Sequence, residues 1–225
     1  MTAPAAVPSA QALVGLLERA GVLRFGEFTL KSGRRSPYFF NLGALHGGAD
    51  TQQLAEAYAG RIRTLGAELD VVFGPAYKGI PLAVATAEAL GRAGVDAAWA
   101  FNRKEAKDHG EGGAFVGGDV ASRVVLVDDV LTAGTAVREA AALIDAAGGT
   151  LTAVVIALDR CEVNDDGRTA VEALAAELSV PVVSLLTIED VIGYLDEVSR
   201  EDKDRAEISR RIRDYREAYC VPSRQ

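Results

Sequence analysis

The chain has 225 residues, is 49% hydrophobic and carries a net charge of −8. That length and apolar content suit one domain with a full core, while the acidic balance argues against nucleic acid or an anionic membrane as a partner. No apolar run approaches the 18 or so residues of a membrane span, residues 1–9 have no signal-peptide pattern, and Cys161 and Cys220 show no metal or redox spacing, so a reduced cytoplasmic protein is expected.

In chain order, residues 10–20 predict an amphipathic helix stopped by Gly21. Residues 25–42 alternate apolar and polar around the polar stretch 32–37 and predict a hairpin or a crossed pair of strands. Asp50 can cap a helix that runs to Leu65 and stops at Gly66. A short strand at 70–73 leads into the loop 74–79, GPAYKG, and a helix to about residue 93. A strand at 96–101 is followed by 102–113, NRKEAKDHGEGG, a charged segment with no apolar periodicity.

Residues 124–127, all apolar, predict a buried parallel strand. Asp128 and Asp129 follow it, then a small-residue turn at 132–136 and a helix over 137–145 stopped at 148–149. A strand at 150–158 ends in Asp159-Arg160, a helix spans 167–178 and a strand 180–186. Thr187 and Asp190 have the spacing of a capping box for a helix through 197, and 199–219 predicts a charged helix with Ile208, Ile212 and Tyr215 on one stripe.

Strands alternating with helices imply an α/β fold, a central mostly parallel sheet flanked by helices. Ligands of such sheets sit beyond the carboxyl ends of the strands. The segments 74–79, 102–113, 128–136 and 159–160 all follow strands and can converge at one edge. The whole chain, 1–225, reads as a single domain: an N-terminal segment to about 45, an α/β core over about 50–197 and the C-terminal helix at about 199–219.

A strand, a tight turn and a helix N-terminus make an anion site, because free backbone N–H groups and the positive end of the helix dipole point into the turn. The adjacent Asp128 and Asp129 suit a ligand with vicinal hydroxyls as well as a phosphate, since carboxylates accept hydrogen bonds from sugar hydroxyls and tune a bound Mg²⁺. Neither GxxxxGK[ST] nor a GxGxxG after a strand is present. The chain holds 19 Arg but only five Lys, and Lys31, Lys78, Lys104 and Lys107 lie in short polar loops, a hint of point-charge contacts to phosphate that composition drift would also produce. Segment 102–113 suits a mobile basic flap over a polyanion, with a solvated charged loop as the competing reading.

Residues 124–140, VVLVDDVLTAGTAVREA, resemble the signature with which type I phosphoribosyltransferases bind phosphoribosyl pyrophosphate (PRPP). Together with FTLKSGRRSPYFFN at 28–41, GPAYKGI at 74–80 and FNRKEAKDHGEGG at 101–113, the resemblance narrows to the orotate phosphoribosyltransferase family and runs from about residue 13 to 219. It implies the type I fold with a small N-terminal hood. The implied reaction is Mg²⁺-dependent transfer of ribose 5-phosphate from PRPP to orotate, giving orotidine 5′-monophosphate and pyrophosphate.

Residue by residue, the resemblance implies that Asp128, Asp129, Val130, Leu131, Thr132, Ala133, Gly134, Thr135 and Ala136 hold the ribose and the 5-phosphate. Tyr77, Lys78, Arg103, Lys104, Lys107 and His109 then face the pyrophosphate, with Lys31 near the base and the reaction centre. Orotate is expected against Phe39, Phe40, Thr132 and Arg160, the last through a fork of two hydrogen bonds to its carboxylate. Lys31, Asp129, Lys104, Lys107 and His109 are the expected catalytic set, and the peptide before Tyr77 can be cis. The resemblance implies that Mg²⁺ is held through PRPP and water near Asp128 and Asp129 rather than by direct protein ligands. It also implies a homodimer in which the flap 102–113 closes over the neighbouring subunit's site. For Phe39 and Phe40 core packing is the competing reading, and for His109 a surface position; His46 reads as surface. A purine phosphoribosyltransferase and a non-catalytic PRPP-sensing regulator are the alternative functions.

Overall fold

The computed structural model describes residues 7–30, 32–107, 113–131, 134–199 and 202–220. Helix α1 (Ala10–Arg19) is capped by the Ser9 hydroxyl, which accepts from Ala12 N–H at 3.2 Å. Strands β1 (Leu23–Thr29) and β2 (Arg35–Phe40) form an antiparallel hairpin, with a register shift between Phe25 and Phe28. Next come α2 (Gly48–Leu65), β3 (Val71–Phe73), α3 (Gly79–Arg92), β4 (Ala98–Lys107) and β5 (Gly113–Gly117). The chain continues through β6 (Arg123–Val130), α4 (Thr135–Ala146), β7 (Thr150–Asp159), α5 (Ala170–Leu178), β8 (Val182–Thr187), α6 (Ile188–Val198) and α7 (Lys203–Tyr219).

The second sheet has six strands in the order β5-β4-β3-β6-β7-β8, all parallel except the edge strand β5. Valine-rich central strands follow from burial on both faces, which removes the need for polar alternation. Val72, Val125, Val127 and Val155 pack on one face with α1, α2, α3, α6 and α7. Val71, Val124, Leu126, Val154 and Ile156 pack on the other with α4 and α5. The hairpin of β1 and β2 joins the first of these cores through Tyr38 and Phe40, beside Ile212 and Tyr215 of α7.

Three predicted boundaries move, each for a physical reason. Segment 102–113 was expected to be a loop, but β4 continues through Lys107 and turns back as β5, with Phe101 opposite Val116 and Asn102 opposite Phe115. Backbone ladders need no apolar side chains, so a charged sequence can pair at a sheet edge. Strand β6 extends through Val130, which places Asp128 and Asp129 inside the strand rather than after it; Asp128 pairs with Ile156 and Val130 with Leu158. Helix α5 starts at Ala170 rather than 167, because the Thr169 hydroxyl accepts from Glu172 N–H at 3.1 Å and the Glu172 carboxylate from Thr169 N–H at 3.0 Å. Among the described residues no helix is long and apolar enough to cross a membrane.

One contact fixes the central strand to the helix layer. The fully buried Tyr58 of α2 donates its hydroxyl to the backbone oxygen of Asp128 at 2.8 Å. A Tyr58→Phe variant leaves that buried carbonyl without this donor and is expected to lose about 1 kcal/mol of stability. Urea unfolding of the two proteins measures it, as a lower midpoint at unchanged slope.

Candidate active site

The carboxyl ends of β3, β4, β6 and β7 carry the chemistry. At the end of β6 two like charges sit side by side in a nearly closed setting: Asp128 is 9% exposed and Asp129 8%. Three contacts offset them. Asp128 Oδ1 accepts from Asp129 N–H at 2.9 Å, Asp129 Oδ1 accepts from Val130 N–H at 2.8 Å, and Lys78 Nζ donates to Asp129 Oδ2 at 2.9 Å. Burial and the neighbouring Asp129 charge still push the Asp128 carboxyl up to about 6.

Beyond the pair, Leu131 is buried, and Gly134 enters α4 in the left-handed conformation, φ 70°. As the N-cap residue Gly134 has no side chain to offer, so none caps this helix from that position, and Thr135 and Ala136 of the first turn are exposed. A helix entrance with open N–H groups beside two carboxylates can take a phosphate on one side and hydroxyl groups on the other.

The loop 74–79 is folded tightly on itself. A Cβ on Gly74 would lie 1.9 Å from Gly79 O, and one on Gly79 2.6 Å from Gly74 C, so both positions require glycine. The Ala76–Tyr77 peptide is cis. Ala76 N–H donates to Asn102 Oδ1 at 3.1 Å, which ties this loop to the end of β4. Tyr77 is 71% exposed, and the Lys104 ammonium stands 6.0 Å from its ring centroid. Arg103 Nε is buried and has no hydrogen-bond partner among the described residues. The structure thus brings Tyr77, Lys78, Arg103 and Lys104 to the same edge as Asp129.

The hairpin and β7 supply a second cluster. Arg160 follows β7 by one residue, and its guanidinium stacks on the Tyr38 ring at 4.1 Å. Its Nε donates to Glu162 Oε1 at 2.5 Å, and its Nη2 donates to Ser36 Oγ at 2.9 Å and to the Tyr215 hydroxyl at 3.4 Å. The expected two-bond fork for a carboxylate is therefore already in use on one side. Of the two aromatics expected against the base, Phe40 takes the competing core position. Neighbouring residues of a strand project to opposite faces: Phe40 packs into the core, while Phe39 stacks on Phe28 at 5.4 Å with the Arg24 guanidinium over both rings.

Lys31, His109, Thr132 and Ala133 lie outside the described residues, as does the side chain of Lys107. Sequence reasoning missed Tyr58, Asn102, Ser36 and Glu162. Asn102 and Ser36 sit inside polar stretches already singled out but nothing marks them above their neighbours there, Tyr58 and Glu162 belong to no such pattern, and each bonds a partner distant in sequence, Glu162 through Arg34 and Tyr215.

An open sheet with this anion-binding edge is what a phosphoribosyl transferase requires, and the family model for the phosphoribosyl transferase domain matches residues 45–177. The orotate phosphoribosyltransferase of Xanthomonas axonopodis pv. citri is 56% identical over 178 residues, covering 78% of this chain and 81% of that one. The crystal structure of the Francisella tularensis orotate phosphoribosyltransferase superposes with a TM-score of 0.79 at 36% identity, covering 92% of this chain and 98% of that one. That of the Mycobacterium tuberculosis H37Rv enzyme in complex with PRPP gives 0.61 at 27% identity, covering 81% and 98%. The chain belongs to the orotate phosphoribosyltransferase family.

The charge on Asp128 has a consequence for stability. A carboxyl raised from its ordinary value to about 6 in the fold ionises more readily in the unfolded chain. Its contribution is neutral below about pH 4 and turns progressively unfavourable as pH rises through 6. Asp128→Asn keeps an oxygen for Asp129 N–H and removes the charge. The variant is expected to be more stable than the parent at pH 7.5 by on the order of 1–3 kcal/mol, with the gap shrinking toward pH 4. Urea unfolding at both pH values reads the difference.

Proposed function

We propose that the chain transfers the ribose 5-phosphate of PRPP to orotate, releasing pyrophosphate and forming orotidine 5′-monophosphate. Membership of the family supports this reading, and the carrying observation is the buried acidic pair beside an open helix entrance. The N–H groups at Gly134, Thr135 and Ala136, with Thr132 and Ala133, take the 5-phosphate, while Val130 and Leu131 shape the turn. Asp128 and Asp129 accept hydrogen bonds from the ribose hydroxyls.

The bond from the anomeric carbon to pyrophosphate breaks, positive charge develops on the ribose, and a nitrogen of orotate attacks from the opposite face with inversion. No covalent nucleophile is needed; positioning and charge stabilisation of the leaving group do the catalysis. Lys78, Arg103, Lys104, Lys107 and His109 hold the departing pyrophosphate, Tyr77 lines the same loop, and Lys31 reaches the reaction centre. Lys78 already grips Asp129, so one ammonium links the carboxylate that holds the sugar to the site of the leaving group. Orotate lies between the hairpin, at Phe39 and the backbone of Phe40, and Arg160, with Thr132 alongside.

No group of three or more His, Cys, Asp or Glu side chains gathers to hold a metal among the described residues. Both Asp129 oxygens already accept hydrogen bonds, but carboxylates have further lone pairs, so the pair suits contact with Mg²⁺ through water and PRPP. When bound with PRPP, Mg²⁺ neutralises charge on the diphosphate.

We read the active form as a homodimer in which the flap segment 102–113 serves the neighbouring site. Trp99, exposed and stacked on Phe101 in β4, supports an apolar contact on the strand that leads into that segment. The free thiols of Cys161 and Cys220 fit a cytoplasmic setting.

The test is loss of orotate absorbance with PRPP and Mg²⁺, absent when any component is withheld; adenine or guanine turning over in place of orotate defeats the reading. Asp129→Ala is expected to lower turnover at least a hundredfold with the fold intact by circular dichroism. Lys107 lies further along the flap. Mixing Lys107→Ala with Asp129→Ala subunits is expected to restore activity, since one site of each heterodimer is whole. No recovery after demonstrated subunit exchange places Lys107 in its own subunit's site.

A further inference from the structure

The C-terminal helix α7 reaches across the molecule to the end of β7, and its contacts there are specific. Tyr215, 5% exposed, donates its hydroxyl to Glu162 Oε1 at 2.7 Å. The same Glu162 oxygen accepts from Arg160 Nε, and the other accepts from Arg34 Nη1 at 3.2 Å. Arg34 also donates to Val163 O at 3.2 Å and lies over the Tyr219 ring at 5.2 Å. Tyr38 meets the Tyr215 ring edge-on, with centroids 6.1 Å apart, and supports the Arg160 guanidinium on its face. Three separate segments therefore grip the Arg160 guanidinium: the hairpin through Ser36 and Tyr38, Glu162, and α7 through Tyr215.

The geometry of that grip leaves one side open. Arg160 Nε and Nη2 are occupied, while Nη1 makes no hydrogen bond among the described residues. Nη1 is also not one of the fully buried unpartnered polar atoms there, so it keeps some exposure although the side chain as a whole is only 10% exposed. Two arginines share one carboxylate, which leaves the cluster with an excess positive charge for an incoming anion. Its place is right for a substrate group, because Leu158 pairs with Val130 and Arg160 stands two residues further on, one strand away from the acidic pair. A guanidinium held at Nε and Nη2 cannot swing, so Nη1 is aimed before substrate arrives and little side-chain entropy is lost on binding.

We propose that Glu162 and Tyr215 are positioning residues that lock Arg160 with Nη1 presented to the carboxylate of orotate, and that this is what α7 contributes to the site. The inference rests on the reading that Arg160 meets that carboxylate. Burial and the bond to Glu162 hold the Tyr215 hydroxyl up to about 12, so it stays a donor at neutral pH.

Steady-state kinetics of the full chain test it. Tyr215→Phe removes one oxygen and keeps the ring, and is expected to raise KM for orotate about three- to tenfold with KM for PRPP unchanged. Glu162→Ala is expected to raise it further, and Glu162→Gln to recover part of the loss, since an amide oxygen still accepts from Nε. Arg160→Met tests the underlying reading and is expected to show the largest rise for orotate alone. A rise with Arg160→Met but none with Tyr215→Phe overturns the positioning role and leaves the reading of Arg160 standing. No rise with Arg160→Met overturns both. Equal rises in the two KM values for Tyr215→Phe show a structural role only, and overturn the proposal. If Glu162→Ala does not fold, Tyr215→Phe decides alone.

Discussion

Two adjacent carboxylates at the end of a strand buried on both faces are the constraint around which this molecule is arranged. Like charges in a poorly hydrated setting repel and resist ionisation, and Asp128 shows the cost in its raised pKa. The surrounding structure offsets that cost from several directions. A lysine arrives from the entrance of α3, backbone N–H groups from β6 itself, and the Tyr58 hydroxyl from α2 fixes the backbone beneath. What remains uncompensated is a pair of acceptors waiting for donors, and the open entrance of α4 next to it is a set of donors waiting for an anion. A sugar phosphate satisfies both at once.

The same edge is crowded with cations, but they are not equivalent. Lys78 and Lys104 stand at the loop ends of the sheet, with Lys78 56% and Arg160 only 10% exposed at their side chains. An exposed ammonium on a flexible stem suits a leaving group that must be held and then released. A buried guanidinium tied at two nitrogens suits a small planar substrate that must be held in one orientation. The fold places Lys78 on a strand-to-helix loop, Lys104 toward the end of β4, and Arg160 under a hairpin clamped by the C-terminal helix, a separation that suits the two proposed tasks. The many ion pairs on the outer face of α7, such as Arg210 with Glu207 and Asp214, are exposed and contribute little to stability.

The alternation of apolar runs with helical periods determined the class of fold, because a strand buried on both faces must be apolar throughout, and β6 and β7 are spelled that way until their polar ends. The acidic pair and the small-residue entrance to α4 were legible for the same reason: charge and glycine placed where a buried strand ends have few other uses. Local chemistry also determined the caps of α1 and α6, where donor and acceptor lie within four residues. Tertiary structure alone decided the rest. Whether 102–107 is loop or strand depends on a partner strand beginning at residue 113, so no local pattern in a charged stretch reveals it. That Phe40 is core and Phe39 is not depends on which face of the hairpin meets α7. The grip on Arg160 joins Ser36, Glu162 and Tyr215, residues up to 179 positions apart, and hydrogen bonds between such distant side chains leave no mark in the order of the chain.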